Sequence, residues 1–373
     1  MIGFILIIFT ILFAGFLFPG RNSKNKKIFL FITFFALFLF SGLRAPSVGI
    51  DTRTYIEWFN FISSHELKES LIHIKAEQGF IIFMYLLTFL GNAQIFIIIS
   101  SLFILFAVAR TIYKYSSSPM ASTLIFTIFI FSRTMNGIRQ YMALAIVLLA
   151  VPYLVNQKPI KYIICVIIAS YFHISALLLV LFSFFSINKV ELSKMKLRII
   201  IIISMIATFN YDLIIEYIYI IMPKYERFKY GSANGEGDLS VPWLLIEIAI
   251  FILVVLYVYK KEINKSVLSN VSNEIQLKAN KIFLVLFLAH IMVTLASANM
   301  YILNRLEIYT RISIIFIYPI ALQSLLSIKN LKRIRGFKEL TTIVITFGII
   351  IFGLSIFYRD MHDLLPYKYF WEY

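Results

Sequence analysis

Long apolar runs, separated by short polar loops, recur along almost the whole of this sequence. An apolar run of about 20 residues spans a bilayer as a helix, because only a helix satisfies its own backbone hydrogen bonds in hydrocarbon. The runs are too long and too uniform for the alternating strands of a membrane barrel, which have about 10 residues. The pattern therefore predicts an all-α, polytopic integral membrane protein.

The composition agrees with a hydrocarbon solvent. Of 373 residues, 60% are hydrophobic and 14% are charged, whereas a soluble domain has about a quarter charged residues and avoids large apolar patches. We predict one polytopic domain over residues 1–373 with about 11 to 13 transmembrane or re-entrant helices. The predicted spans are 2–19, 28–43, 78–91, 94–110, 119–133, 138–155, 160–172, 174–187, 199–222, 241–259, 281–298, 312–328 and 340–357. The first lacks a basic leader and a cleavage site, so we interpret it as a retained helix.

Basic residues gather in the loops between these runs and orient the helices. The net charge is +16, and six loops hold 22 of the 35 lysines and arginines but only four of the 19 acids. Such loops are cytoplasmic and meet anionic lipid, so the charge indicates the lipid bilayer as partner and no nucleic acid. The six loops are 20–27, 110–118, 156–161, 188–198, 260–281 and 329–339. The segments predicted to face outward are 44–77, 133–139, 223–240, 299–311 and 358–373.

The stretch from 78 to 110 leaves one point of the topology open. An odd number of crossings must join an outward 44–77 to a cytoplasmic 110–118, yet two short apolar runs lie between them. Gly91 and Asn92 can mark a broken or re-entrant segment, which is tolerated where protein or a wet cavity covers it. In the alternative, 44–77 is cytoplasmic and the loop 20–27 departs from the positive-inside rule.

Motifs for common cofactors are missing from the sequence. The single cysteine, Cys165, lies within a predicted helix, so the sequence indicates neither a disulfide framework nor a zinc cluster. There is no P-loop, Rossmann glycine pattern, Ser-His-Asp spacing or dense acidic cluster. We therefore predict no cofactor and no metal.

Four clusters of polar residues are predicted on the outward side, where a charge near the membrane is costly. The first runs from Ser41 to Thr52 and contains Arg44 and Asp51 in a turn rich in Gly and Pro. A snorkelling Arg44 and a helix-capping Asp51 are the structural alternatives to a functional role.

The second cluster surrounds the start of the apolar run 138–155. Asn136, Arg139 and Gln140 stand at i, i+3 and i+4, so their hydrogen-bonding groups share one helical face. Arg133 precedes them. A guanidinium presents a planar fork of donors suited to phosphate or carboxylate oxygens. The pattern favours a functional role for Arg139 over interfacial anchoring alone.

The third cluster contains His173, in a turn between two apolar runs. An imidazole suits a general base because it exchanges a proton near neutral pH. The structural alternative is a histidine that hydrogen-bonds between helices.

The fourth cluster runs from Asn304 to Arg311. Arg305 with Tyr309, and Glu307 with Arg311, are spaced i, i+4, and a self-paired helix end is the structural alternative. Together the outward arginines, with few acids to pair them, indicate an external anion such as a polyphosphate headgroup.

In this order, these residues resemble the EpsG family of bacterial exopolysaccharide proteins, which are similar to Wzy-type polysaccharide polymerases. The ordered set is more specific than any single motif. The motifs are Leu43-Arg44 with Val48-Gly49-Ile50-Asp51-Thr52 and Tyr55, Asn136-Gly137-Ile138-Arg139-Gln140 with Ala143, Phe172-His173-Ile174-Ser175-Ala176-Leu177, and Asn304-Arg305 with Tyr309.

The resemblance implies a polysaccharide polymerase, a membrane glycosyltransferase that joins polyprenyl-pyrophosphate-linked oligosaccharide repeat units. The reaction takes place at the outer face of the bacterial cytoplasmic membrane and uses neither nucleotide sugar nor ATP. It needs a clamp for the pyrophosphate leaving group and a base for the acceptor hydroxyl. A chain-length regulator and a flippase are the protein partners it implies.

Each candidate residue receives a role in this hypothesis. Arg139 and Arg305 bind the pyrophosphate, supported by Arg44, Arg133 and Arg311. The other residues assigned to pyrophosphate or glycan binding are Asn136, Gln140 and Tyr309. The base is His173 or Asp51, and the sequence does not choose between them.

Two other functions compete with a polymerase. A transporter or flippase would also hold a lipid pyrophosphate with arginines, but it needs a charged path across the bilayer or inverted repeats. No repeat is visible in the sequence. A membrane acyltransferase that modifies the glycan would use His173 as base and an acyl donor from the cytoplasmic side, which one-sided polar clusters disfavour.

Overall fold

The computed structural model is all-α, and the prediction of a polytopic all-α membrane protein is confirmed. It describes residues 2–19, 22–183, 216, 220, 241–263, 271–297, 304–327, 364 and 367–372. Within these ranges, four helices are long and apolar enough to cross a membrane, and several shorter apolar helices accompany them. The four are Ser23–Gly42, Ala93–Tyr115, Ile138–Val155 and Glu274–Ser297.

The helices follow the predicted apolar runs closely. They are α1 (Ile2–Leu17), α2 (Ser23–Gly42), α3 (Ile50–Ser64), α4 (Leu67–His73), α5 (Gln78–Thr88), α6 (Ala93–Tyr115), α7 (Pro119–Phe129), α8 (Phe131–Asn136), α9 (Ile138–Val155), α10 (Pro159–Ser170), a 3₁₀ helix (Ile174–Ser183), α11 (Val241–Ile263), α12 (Val271–Ser297), α13 (Asn304–Arg311) and α14 (Ile314–Ser327). The predicted spans 199–222 and 340–357, the segment 223–240 and the loops 188–198 and 329–339 lie outside the described residues, apart from 216 and 220.

The chain divides into two compact units. Unit 1 comprises Met1–Ser183 and Leu326–Tyr373, and unit 2 comprises Phe184–Leu325. In unit 1, α6 packs against α2 and α9, and α10 packs against α9. In unit 2, α12 contacts α11 and α13. Apolar side chains such as Phe16 and Phe31 stay exposed on the unit 1 helices, as expected where lipid is the solvent.

The contacts at the ends of α2 and α6 define two ends of unit 1. At one end, Ser23 Oγ lies 2.9 Å from the Tyr113 hydroxyl oxygen, and Lys26 Nζ lies 5.3 Å from the Tyr113 ring centroid. At the other end, Gln94 Nε2 donates to the Gly42 carbonyl at 2.9 Å. The two helices are therefore antiparallel, and loops 20–27 and 110–118 share the basic end, which the positive-inside rule places in the cytoplasm.

Helix α5 is shorter than a membrane span. Its 11 residues extend about 16 Å, roughly half of the 30 Å hydrocarbon thickness. Both of its flanks lie at the outward end, because Glu77 before it pairs with Arg139 in the first turn of α9, and Gln94 after it bonds Gly42. These contacts fit a single crossing, α6, between 44–77 and 110–118. The broken-segment interpretation and the outward position of 44–77 stay predictions that rest on the positive-inside rule.

Gly49 joins the first two polar clusters of the sequence. Its φ is +98°, a conformation that L side chains rarely adopt, and an added Cβ would lie 2.6 Å from Asn136 Oδ1. The loop around it is fixed to the end of α8, because Thr52 Oγ1 donates to the Met135 carbonyl at 3.1 Å. Glycine is therefore required here both by backbone conformation and by space.

Gly49→Ala is expected to destabilise the protein by about 1–3 kcal/mol, the cost of a strained backbone conformation at one residue. Thermal unfolding in detergent measures the effect. Gly137→Ala is the matched control, because Gly137 has a φ of −80° and an added Cβ would meet nothing nearer than 3.4 Å. An unfolding temperature unchanged by Gly49→Ala would show that this loop separates readily from α8.

Candidate functional site

Four side chains meet in an ionised network at the outward end of unit 1. Glu77 precedes α5, Arg139 and Gln140 lie in the first turn of α9, and His173 follows α10. Arg139 Nη1 lies 2.8 Å from Glu77 Oε2, and His173 Nδ1 lies 2.8 Å from Glu77 Oε1. Gln140 Nε2 lies 2.8 Å from His173 Nε2. Glu77 is the centre of the network, since its carboxylate joins the arginine to the histidine.

The local sequence explains how Glu77 reaches His173. Glu77 stands at the N-cap of α5, yet its side chain makes no capping hydrogen bond and can extend across. Gly79 lets the turn after α10 approach, because a Cβ at Gly79 would lie 2.8 Å from the Tyr171 carbonyl oxygen. The Phe80 N–H donates to that same oxygen at 3.2 Å. The turn that carries His173 is thus docked on the first turn of α5.

The hydrogen bonds determine the tautomer of His173. A carboxylate only accepts, so the proton of the imidazole is on Nδ1, the nitrogen that faces Glu77. The Nε2 lone pair then accepts a hydrogen bond from the Gln140 amide. In its neutral form His173 therefore has its basic nitrogen, Nε2, held by an exchangeable amide donor.

The surroundings keep Glu77 ionised. Burial by itself would raise the pKa of the Glu77 carboxyl. The hydrogen bond and charge of His173, the charge of Arg139 and the backbone N–H of Ile174 outweigh burial and lower the pKa to about 2. The Ile174 N–H donates to Glu77 Oε1 at 3.2 Å. Glu77 is thus an anion across the physiological pH range.

The stability that Glu77 contributes is expected to depend on pH. The pKa of this carboxyl falls from 4.5 to about 2 on folding, so the unfolded chain binds its proton more readily. The contribution is therefore complete above the unfolded pKa and is lost as the pH falls through the folded one. The difference in unfolding temperature between the wild type and Glu77→Gln should shrink between about pH 5 and about pH 2. A difference that widens at acid pH would contradict the pairing.

Aromatic rings form one wall around the Arg139 guanidinium. Its Cζ lies 5.3 Å from the Trp58 ring centroid, 5.9 Å from that of Phe80 and 6.0 Å from that of Tyr55. A cation over an aromatic face is stabilised, most of all when water is excluded. The side chain is 25% exposed, although its Nε is buried and has no hydrogen-bond partner among the described residues. Part of the Arg139 side chain is therefore accessible to a further anion.

Arg44 takes a different position from the one predicted for it. Its side chain is fully buried, and the guanidinium donates to the carbonyls of Ser41 and Met135 and to Ser101 Oγ. Met135 is followed by Asn136, so Arg44 ties the loop after α2 to the start of the site. In this arrangement Arg44 positions the backbone beside the site, and its part in binding a ligand stays a prediction.

The other predicted residues of unit 1 lie around the network. Asp51 is exposed in the first turn of α3. Burial raises the pKa of Tyr55, one turn further on, and the charge of Asp51 adds to that rise. Arg133 is half-buried in α8, and Asn136 ends that helix with its Oδ1 buried and without a hydrogen-bond partner in the described ranges. Arg139, Gln140 and His173 are the predicted site residues that meet directly.

The fourth predicted cluster lies in unit 2, on α13. Arg305 stands in the first turn of this helix, and Tyr309 is 2% exposed. Arg311 Nε donates to Glu307 Oε1 at 3.1 Å, which is the self-paired helix end offered as the structural alternative. The segment 299–303 lies outside the described residues.

Unit 2 also buries a polar cluster that the sequence did not indicate. Glu247 on α11, His290 on α12 and Tyr318 on α14 are 2–3% exposed. Glu247 Oε1 lies 3.3 Å from His290 Nε2 and accepts from the Tyr318 hydroxyl at 3.1 Å. A carboxylate among apolar helices is costly unless it is paired, so this cluster constrains how α11, α12 and α14 assemble.

Glu247→Ala is expected to destabilise the protein by about 3–5 kcal/mol, because it leaves His290 and Tyr318 buried without their acceptor. Glu274→Ala is the matched control, since Glu274 is exposed on α12 and pairs only with Lys278, one turn away. Thermal unfolding of both variants in detergent makes the comparison. Equal unfolding temperatures would show that the buried cluster does not hold the helices together.

Sequence reasoning missed Glu77, the residue on which the network depends. Its place directly before the apolar run 78–91 was a usable signal, because an acid at that level of a membrane needs a partner. An acid at a helix start, however, also has an ordinary explanation in the helix dipole. The argument that outward arginines lack acids is wrong for Arg139 and Arg311, since Glu77 and Glu307 pair with them.

The fold and the candidate site define a class of protein, a multi-pass membrane protein with a network of Glu77, Arg139 and His173 at one end of its helices. The chain belongs to the EpsG family, whose family model matches residues 27–369. It is accordingly an exopolysaccharide polymerase-like membrane protein of polysaccharide biosynthesis, as the resemblance in the sequence predicted. Comparison with curated proteins found no match, and comparison with solved structures found none either.

Proposed function

We propose that the protein polymerises oligosaccharide repeat units carried on polyprenyl pyrophosphate, at the outer face of the bacterial cytoplasmic membrane. The observation that carries this proposal is the network of Glu77, Arg139, Gln140 and His173 at the end of unit 1 opposite the basic loops. The acceptor hydroxyl oxygen attacks the anomeric carbon of the donor sugar. The bond from that carbon to the pyrophosphate oxygen breaks, polyprenyl pyrophosphate leaves with the electron pair, and a base takes the hydroxyl proton.

Arg139 has the properties that the leaving group requires. Negative charge grows on the pyrophosphate as the bond breaks, and a fixed guanidinium in a partly dehydrated site stabilises that charge. Glu77 binds Nη1, and the Arg139 side chain is 25% exposed, which leaves part of it accessible to the substrate. In the resting protein Glu77 balances the charge of Arg139, and the substrate supplies the counter-charge when it binds.

His173 is the base that the geometry supports over Asp51. Glu77 orients the imidazole through Nδ1, so Nε2 carries the lone pair that takes a proton. Without substrate, the Gln140 amide donates to that lone pair. The hydroxyl of the acceptor sugar would replace the amide as donor when it binds. Asp51 is exposed in the first turn of α3 and remains the alternative base.

Arg305, Tyr309 and Arg311 keep their proposed part in binding pyrophosphate or glycan, with Arg133 and Asn136 in support. Arg311 already pairs with Glu307, so a ligand would have to share it. A chain-length regulator and a flippase remain the expected protein partners.

The test of this proposal is deletion of the gene, followed by analysis of surface polysaccharide and of lipid-linked oligosaccharides. Loss of polymer together with outward-facing, lipid-linked single repeats is the expected result, reversed by the wild-type gene. Single repeats confined to the cytoplasmic face would indicate a flippase instead. Polymer of normal length with altered decoration would indicate an acyltransferase, and unchanged polysaccharide would remove the protein from this pathway.

A further inference from the structure

A short aromatic segment from Tyr367 to Glu372 lies at the outward end of unit 1. Its backbone runs antiparallel to the residues just after α2, where the Ala45 N–H donates to the Lys368 carbonyl at 2.9 Å. The Phe370 N–H donates to the Leu43 carbonyl at 3.0 Å. These two bonds flank the bridge between Arg44 and Tyr369. The segment is thus tied to the loop that Arg44 connects to the candidate site.

Tyr367 anchors this segment to the helix beneath it. Its ring stacks on Phe40 with the centroids 4.2 Å apart, and its hydroxyl donates to the Phe40 carbonyl. The position of the segment is therefore held by side-chain packing as well as by backbone bonds. The aromatic rings that follow have a defined orientation.

Two of these rings form a stacked pair, and the outer ring, that of Trp371, is exposed. The rings of Tyr369 and Trp371 are parallel to within 3°, with centroids 4.6 Å apart. Trp371 is 60% exposed, so the indole presents an open face. Phe370 meets Trp371 edge to face at 5.0 Å and limits how the indole can turn. Without a ligand, a large aromatic surface held open in this way is costly in water.

The rim of the ring pair is polar, which favours a polar ligand over lipid tails. Lys368 and Glu372 flank the rings and are both exposed. The Tyr369 N–H donates to Glu372 Oε2 at 2.8 Å, so the carboxylate is fixed beside the ring. Charged groups of both signs next to an aromatic face indicate contact with water, where hydrocarbon would exclude them.

We propose that the exposed face of the Trp371 indole, backed by the stacked Tyr369 ring, is a platform on which a pyranose ring of the polysaccharide stacks as the chain leaves the site. The C–H groups on one face of a pyranose fit the electron-rich face of an indole, while its hydroxyls reach polar groups at the rim. Lys368 and Glu372 supply such groups. This inference rests on the proposed polymerase function, because it names a second contact for the same glycan.

The test compares two substitutions of one residue. Trp371→Phe keeps an aromatic face, whereas Trp371→Leu keeps apolar bulk and loses that face. The probe is a set of oligosaccharides made by partial hydrolysis of the polysaccharide that wild-type cells produce. Their binding to the purified protein in lipid nanodiscs is measured by calorimetry. Trp371→Leu is expected to bind about tenfold more weakly than the wild type, and Trp371→Phe at most a few-fold more weakly.

Polymer length in cells is the second readout, with Phe31→Leu as control, because Phe31 is an exposed aromatic residue on α2. Shorter polymer in Trp371→Leu alone supports the platform. Equal binding and equal length in the two Trp371 variants would overturn it and leave Trp371 as an interfacial anchor. Failure of the polymerase proposal is distinguishable, since gene deletion would then leave the polymer intact whatever Trp371 does.

Discussion

Replacing Arg139 with alanine is expected to slow polymer formation by about 10²–10³-fold, the usual effect of removing one preorganised donor from a developing oxyanion. Arg139 is the part-exposed guanidinium of the network, held between Glu77 and an aromatic wall. Its loss removes both the charge and the planar fork that would face the leaving pyrophosphate. The measurement is the initial rate of polymerisation of purified lipid-linked repeat units by the protein in nanodiscs.

Three controls separate catalysis by Arg139 from its structural effects. Arg53→Ala removes an exposed arginine from α3 at the same end of the unit and should leave the rate unchanged. Arg139→Lys keeps the charge but loses the fork, so it should recover the rate only in part. Arg139→Ala combined with Glu77→Gln removes the acid that would otherwise be left without its arginine. A folded Arg139→Ala protein with a near-normal rate would show that Arg139 does not hold the leaving group.

Substitutions of Glu77 and His173 are expected to be strongly non-additive. His173→Ala should slow the reaction by about 10²–10⁴-fold if the imidazole takes the hydroxyl proton. Glu77→Gln should cost about 10²-fold or more, because the amide no longer holds the proton on Nδ1 of His173. The double variant should be scarcely slower than His173→Ala alone, since Glu77 acts on the base through His173.

The control for this cycle is Glu57→Gln, which neutralises an exposed acid of α3 and should leave the rate unchanged. Thermal unfolding of each variant establishes that it is folded. Additive effects of the two substitutions would show that Glu77 and His173 work separately. A normal rate in His173→Ala would exclude the imidazole as base, and Asp51→Asn then becomes the decisive variant, because Asp51 is the alternative base.

The agreement between predicted spans and helices follows from the nature of the signal. Whether a segment becomes a membrane helix depends on its own hydropathy and length, and α9 begins and ends at the predicted residues. The short helix α5 shows the limit of this signal, because the apolar pattern alone did not reveal whether residues 78–91 cross the membrane. Its topology depends on where its two flanks are held, and those contacts come from residues of α2 and α9.

The same difference between what local sequence reveals and what tertiary contacts decide applies to single residues of the site. Arg139, Gln140 and His173 could be selected from sequence because polar groups at the ends of apolar runs are conspicuous. Glu77 could not be joined to them, since it lies 62 residues from Arg139 and 96 from His173 along the chain. Arg44 was misjudged for the converse reason. From the sequence, an arginine that faces water after a helix cannot be distinguished from one that, as here, bonds buried carbonyls.

The sequence by itself determined that this protein lies in a lipid bilayer and that its fold is all-α. It also determined which ends of the helices are basic and to which family the chain belongs. These properties are set by composition and by local patterns, which persist whatever the distant parts of the chain do. Only the tertiary structure decided which arginines are paired, which nitrogen of His173 is basic and where the segment from Tyr367 to Glu372 returns to α2. Each of these depends on atoms within about 3 Å of one another, brought there by helix packing from distant parts of the chain.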